Sequence, residues 1–238
     1  MNSWTCFRWS LVASVALLAA AVPGRSQENG TAELRLRIQS SRPGVHRAVP
    51  AVIWLDPAPG TPVPAFVRRA HYTLVQKNRT FIPHMQVIPV GSVVQFPNED
   101  PFFHNVFSLF DGKRFDLGLY EAGSSKSVTF SRVGVSYIFC NIHPEMSAVV
   151  IALATPLFAA ADSHDAFVLP AIPTGDYTLH LWIEGVPQSV LEHLSRPVHI
   201  PPGPLNLGVI QAPIPPTAGT THNNLYGKPY AEETPSPY

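Results

Sequence analysis

Cysteine, charge and helical periodicity are all scarce in this chain. Only two of its 238 residues are cysteine, Cys6 and Cys140. Charged residues make up 13%, and 16 Lys and Arg balance 16 Asp and Glu, for a formal net charge of zero. A surface built for nucleic acid or an anionic membrane needs a basic excess, so both partners are excluded as expectations. No apolar run beyond the N-terminus approaches the roughly 20 residues of a membrane-spanning helix. No long segment after the N-terminus spaces its apolar residues at the helical period, which excludes a helical bundle. Ser-His-Asp order, a phosphate loop and a paired-carboxylate signature are all missing, so the common hydrolytic and phosphoryl-transfer classes lack support.

What is present points to strands. Hydrophobic residues are 45% of the chain and prolines number 26, a mixture that suits short strands joined by proline-rich turns. Two-residue alternation and short apolar runs recur at 51–55, 92–96, 127–130, 135–140, 148–153, 177–183 and 198–200. Turn signals separate them, among them Asp111-Gly112, Ala122-Gly123, Val133-Gly134 and Pro173-Thr174-Gly175. One short turn of helix is expected over 189–194. The class is all-β, a sandwich or sandwiches.

The N-terminus reads as a secretory signal. Arg8 supplies a positive flank, 11–22 is apolar, and Gly24 and Ser26 are small residues near a cleavage point. An apolar stretch of about a dozen residues is too short for an anchor. Cys6 precedes that stretch and leaves with the signal. The mature chain then keeps one cysteine, Cys140, and forms no internal disulfide. A thiol in an oxidising compartment is a liability unless it is buried or bonded to metal.

The neighbours of Cys140 favour metal. Cys140, His143 and Met146 stand three residues apart in Phe139-Cys140-Asn141-Ile142-His143-Pro144-Glu145-Met146, directly after a strand. His104 lies upstream in Phe103-His104-Asn105-Val106-Phe107. Two imidazoles and a thiolate with a weak axial thioether make a blue-copper electron-transfer site. Thiolate and thioether stabilise Cu(I), and imidazole serves both oxidation states. Zinc does not usually take Met, and its structural sites have four Cys or His ligands. Haem attachment and thioredoxin-like pairs need a second nearby cysteine. Taken singly, each of the four residues reads as ordinary core or surface; only their order together carries the copper reading.

At these residues the chain resembles the cupredoxins. The likeness runs through 87–98 (VIPVGSVVQFPN), 103–106 (FHNV), 127–130 (SVTF) and 134–146 (GVSYIFCNIHPEM). The two-residue gap between His143 and Met146 is similar to that of amicyanin. The runs 115–118 (FDLG) and 140–144 (CNIHP) resemble plastocyanin-like methylamine utilisation proteins. The resemblance implies a Greek-key β-sandwich holding one copper. His104, Cys140 and His143 would be equatorial ligands, Met146 axial, and Asn105 a brace for the ligand loops. It also implies an electron port at His143, bordered by Pro144, Ile142 and Phe103. Such a protein is an electron carrier and not an enzyme, periplasmic or secreted. Its expected partners are redox proteins such as a periplasmic dehydrogenase or a c-type cytochrome.

The chain is longer than a single small sandwich of about 100 residues. The run 167–182 (FVLPAIPTGDYTLHLW) is similar to carboxypeptidase-regulatory-like β-sandwiches, and 51–57 (AVIWLDP) looks like an early strand of one. Two arrangements fit: a second small sandwich built from both flanks with the cupredoxin inserted, or one enlarged sandwich with added edge strands. The expected organisation is a signal peptide at 1–26, flanking strands at 31–70, a cupredoxin domain at 71–154, a second sandwich region at 155–212 and a disordered Pro-rich tail at 213–238. Copper storage or handling and a non-catalytic binding module stand as alternative functions, though Met85 and Met146 are sparse for a chaperone. A copper oxidase or nitrite reductase needs further His ligands, and the remaining histidines show no ligand spacing. Glu99, Asp100 and Asp116 read as solvated loop charges.

Overall fold

The computed structural model describes residues 30–45, 48–67, 71–109, 112–216 and 223–228. The signal segment, Cys6, His46, His222 and much of the tail lie outside these. The described residues form β1 (Thr31–Ser40), β2 (Ala51–Pro57), β3 (Tyr72–Thr73), β4 (Val75–Lys77), β5 (Thr80–Ile82), β6 (Met85–Pro89), β7 (Ser92–Pro97), β8 (His104–Ser108) and β9 (Phe115–Tyr120). They continue with β10 (Ser125–Phe130), β11 (Gly134–Phe139), β12 (Ser147–Leu153), β13 (Phe158–Ala160), β14 (Ala166–Pro173), β15 (Gly175–Ile183), α1 (Gln188–Leu194), β16 (Arg196–Ile200) and β17 (Gly203–Ala212). The all-β expectation holds.

Strands of the two flanks share sheets. A three-stranded sheet runs β14-β1-β17 and a four-stranded sheet runs β13-β2-β15-β16. Ala32, Leu34, Leu36 and Ile38 of β1 alternate inward and meet Leu179 and Leu181 of β15 in one core. This is the outer sandwich. The chain between β2 and β13 builds the inner one, from a β10-β7-β3 sheet and a β6-β12-β11-β8-β9 sheet, with a β4-β5 hairpin at one side. Its core holds Phe96, Phe130, Ile138 and Val150.

Strand β12 joins the two. Its sequence SAVVIAL lacks the polar alternation of a half-exposed strand, and all but its first residue are buried. Ala148, Val150 and Ala152 belong to the inner core, whereas Val149, Ile151 and Leu153 belong to the outer one. A strand apolar on both faces must have a layer on each side. The second layer is the far face of the four-stranded sheet, where Trp182 Nε1 donates to the Tyr137 hydroxyl at 3.1 Å. Beside this seam opens a cleft of about 1110 Å³, lined by Trp54, Phe107, Tyr137, Phe139, His180 and Trp182.

Two short pieces of the expected tail, 213–216 and 223–228, are described. Ala212 and Ile214 are buried in the outer core. Further on, Asn224 accepts from the amides of Tyr226 and Lys228, closing a turn. The Leu225 amide donates to Asn141 Oδ1 at 2.7 Å. Within the described pieces of the expected tail, one buried apolar residue, Ile214, and the Asx turn at Asn224 make contacts.

Candidate metal centre

Strand parity decides which side chains reach the inner core. On β11, Ile138 points there and Tyr137 points to the seam, so Cys140, two residues past Ile138, points inward too. On β8, Val106 faces the same core, which carries His104 inward by the same rule. Met146 shares the parity of Ala148 on β12, and both lie in that core. His104, Cys140 and Met146 are each 0% exposed. His143 comes from the turn between β11 and β12, closed by Met146 N–H donating to the His143 carbonyl at 3.1 Å.

Three donor atoms converge. His104 Nδ1 lies 3.7 Å from Cys140 Sγ, His143 Nδ1 lies 3.5 Å from it, and the two nitrogens are 3.1 Å apart. Among the described residues this is one group of His, Cys, Asp or Glu whose ligand atoms all fall within 4.8 Å of one another. Atoms about 2.0–2.3 Å from one first-row metal ion, spread evenly around it in a plane, would be about 3.5–3.7 Å apart. Both sulfur–nitrogen distances agree with that, and the 3.1 Å between the nitrogens corresponds to a narrower angle of roughly 100° at an ion ~2.0 Å from each. A thiolate with two imidazoles is also the chemistry that copper favours.

The surroundings prepare the donors. Burial pushes the Cys140 thiol up, against the backbone N–H groups of Asn105, Ile142 and His143 that point at the sulfur. Burial, then the neighbouring His104 and Arg79, lowers the His143 imidazole, leaving it neutral and able to offer a lone pair. Phe102 packs its ring 5.2 Å from His104 and 5.6 Å from His143. The Asn105 side chain donates to Asp116 Oδ1 at 2.7 Å, tying β8 to β9. Asp116 is exposed, as a solvated charge would be, but it sits on β9 with a partner and not in a loop.

Asp100 is the larger correction. It is 5% exposed, and its Oδ2 accepts from His104 Nε2 at 2.8 Å. The available signal was its position four residues before the histidine, but loop carboxylates are usually solvated and the spacing alone does not separate the two. Glu99 does stay at the surface, 2.9 Å from Lys77 Nζ. His84 sits in the seam, with Nδ1 3.1 Å from the Ser147 carbonyl and Nε2 2.5 Å from Glu184 Oε1. His180 of β15 stacks on Trp54 with centroids 5.2 Å apart.

No family model matches the chain. No curated protein matches it either. Among solved structures it is similar to a purple cupredoxin from Nitrosopumilus maritimus, at 23% identity and TM-score 0.32, covering 34% of this chain and 99% of that one. It is similar to amicyanin from Paracoccus versutus, at 22% identity and TM-score 0.33, over 37% of this chain and 85% of that one. A copper-containing nitrite reductase from Thermus scotoductus SA-01 matches at 26% identity and TM-score 0.34, over 42% of this chain and 27% of that one. These likenesses span less than half of the chain, and the metal reading stands on the side-chain geometry instead.

Proposed function

We propose that the inner sandwich holds one copper ion through His104 Nδ1, Cys140 Sγ and His143 Nδ1, with Met146 as the weak axial donor, and that the protein passes single electrons between redox partners outside the cytoplasm. The observation that carries this reading is the meeting of three buried or half-buried donor atoms within 4.8 Å. Copper bound by such a set would cycle between Cu(I) and Cu(II) with little rearrangement. The chain's contribution is rigidity: ligands on two paired strands and a closed turn, packed by Phe102 and shielded from water.

His143 offers the route in and out. It is half-exposed, and beside it in sequence Ile142 is 41% exposed; Phe103, next to His104, is 55% exposed. An apolar rim of this kind suits brief docking with another redox protein, and such encounters bury little area. Export is supported by the N-terminal charge and apolar pattern, and no helix among the described residues is long and apolar enough to cross a membrane. A periplasmic dehydrogenase or a c-type cytochrome has the chemistry required of a partner.

The test is a Cu(II) titration of the mature protein followed by visible absorption. An intense band in the red, bleached by ascorbate, is the expected result. A colourless or pale complex would sink the carrier reading and favour copper storage.

A second reading, a non-catalytic binding module, is favoured by the aromatic-lined cleft of about 1110 Å³ at the seam. It is compatible with the first, since the cleft and the donors use different faces of the same sheet.

A further inference from the structure

The carboxylate of Asp100 occupies an unusual place for a buried acid. Its Oδ2 accepts from His104 Nε2 at 2.8 Å and from the Arg79 amide at 2.9 Å, and its Oδ1 accepts from the Asn78 amide at 2.6 Å. The backbone amide of Asp100 is itself held by Asn98 Oδ1 at 3.0 Å. Asn78 and Arg79 form the tight β4-β5 turn, with φ of 53° and 54°. That turn aims two successive amides at one carboxylate. Arg79 also lies over Phe102, 5.5 Å from the ring centroid, and Phe102 packs on both imidazoles. Every polar contact of the carboxylate is thus a donor, and one is the far nitrogen of a candidate ligand.

Two consequences follow from elementary chemistry. A neutral imidazole has one N–H, so a proton held at Nε2 by an acceptor-only group leaves a lone pair at Nδ1. In His104 that lone pair faces Cys140 and His143. Second, a fixed negative charge in a low-dielectric core stabilises the more positive oxidation state of a nearby ion. Three donors and no acceptor meet the Asp100 carboxylate, the arrangement that suits an acceptor-only, ionised group.

We propose that Asp100 is a positioning residue for the metal: it fixes His104 as the Nε2–H tautomer with Nδ1 towards Cys140, and its charge favours Cu(II) and lowers the reduction potential. The second half rests on the copper reading above; the first half does not. The bland alternative is a staple, with Asp100 serving only to close the Asn78-Arg79 turn.

The test uses the full mature chain with Asp100→Asn and Asp100→Ala. In the metal-free wild type, nitrogen NMR of the His104 imidazole is expected to show a protonated, slowly exchanging Nε2. In Asp100→Ala that proton should exchange fast and the tautomers mix. In the copper-loaded protein, losing such an outer hydrogen bond typically weakens metal binding roughly 10–100-fold. A tenfold loss for Cu(II) that Cu(I) does not share raises the potential by about 59 mV. Asp100→Asn, which removes the charge and keeps an acceptor oxygen, should raise the potential with the visible band retained. A staple would lower thermal stability and leave tautomer and potential unchanged, and that result overturns the proposal. Should both variants fail to fold, the wild-type spectrum still decides, because an unprotonated Nε2 refutes it. A wild type that takes up no copper refutes the copper reading and the potential with it. A blue wild type whose potential survives Asp100→Asn refutes the Asp100 assignment alone.

Discussion

The indole of Trp182 donates to the hydroxyl of Tyr137 at 3.1 Å, and this bond crosses from the outer sandwich to the inner one. Tyr137 lies on β11, three residues before Cys140, and its neighbours on β12 bury their outer faces against the same layer. The metal centre is therefore mounted on a sheet that needs both sandwiches for its burial.

That mounting predicts cooperative unfolding. The two tryptophans after residue 26, Trp54 and Trp182, both lie on the four-stranded sheet, so their fluorescence reports the outer sandwich and the visible band reports the inner one. Both signals should be lost at one urea concentration. Ile151→Ala should cost about 2–5 kcal/mol and shift both midpoints together. Two separated transitions would show that the sandwiches unfold independently.

The ligand roles predict colour. Cys140→Ser should abolish the intense red band of the copper-loaded protein, because that absorption needs thiolate bonded to copper. His104→Ala should do much the same while the far-ultraviolet strand spectrum persists. A retained band in Cys140→Ser would remove the sulfur from the site.

Met146→Leu separates the axial donor from the rest. The swap conserves volume, so the cost in stability should stay below about 1.5 kcal/mol. The blue band should remain. The potential should rise, by about 59 mV for each tenfold loss of Cu(II) affinity relative to Cu(I). An unchanged potential in cyclic voltammetry would argue that the thioether is packing only.

The His84–Glu184 contact predicts a pH dependence. Both partners of the His84 ring are acceptors, so the ring is best satisfied with both nitrogens protonated. The hydrogen bond to Glu184 raises its pKa above the ordinary 6.5, against the effect of burial. A raised folded-state value gives stability that is fully present below the unfolded value and is lost as pH rises through the folded one. The His84 side chain is 41% exposed, so solvent screening limits the contribution to about 1 kcal/mol or less. Glu184→Gln should lower the melting temperature at about pH 5 and have little effect at about pH 9. Equal loss at both pH values would mean that the contact acts without the imidazolium.

Legibility varied along the chain for physical reasons. Strands with a clean period of two and flanking turns were readable, as at 92–96 and 177–183, and the structure extends them to Ser92–Pro97 and Gly175–Ile183. Strand β1 has the same alternation in TAELRLRIQS yet its place in a sheet depends on parallel pairing with β17, more than 160 residues later. Asp100 was misread because burial of a charge depends on donors from another segment, here the amides of Asn78 and Arg79. Burial of Ile214 was not legible because composition averages over residues, whereas one apolar side chain needs only one gap in the outer core.

Local pattern alone determined the strand class, the candidate donor residues and their order, because side-chain alternation and ligand type are properties of neighbouring residues. Tertiary structure decided that His104 meets Cys140 across 36 positions of chain, that β12 is buried on both faces, and that a carboxylate stands behind the histidine. Those facts depend on which strands pair and which faces meet, and such long-range contacts leave no trace in any short window of sequence.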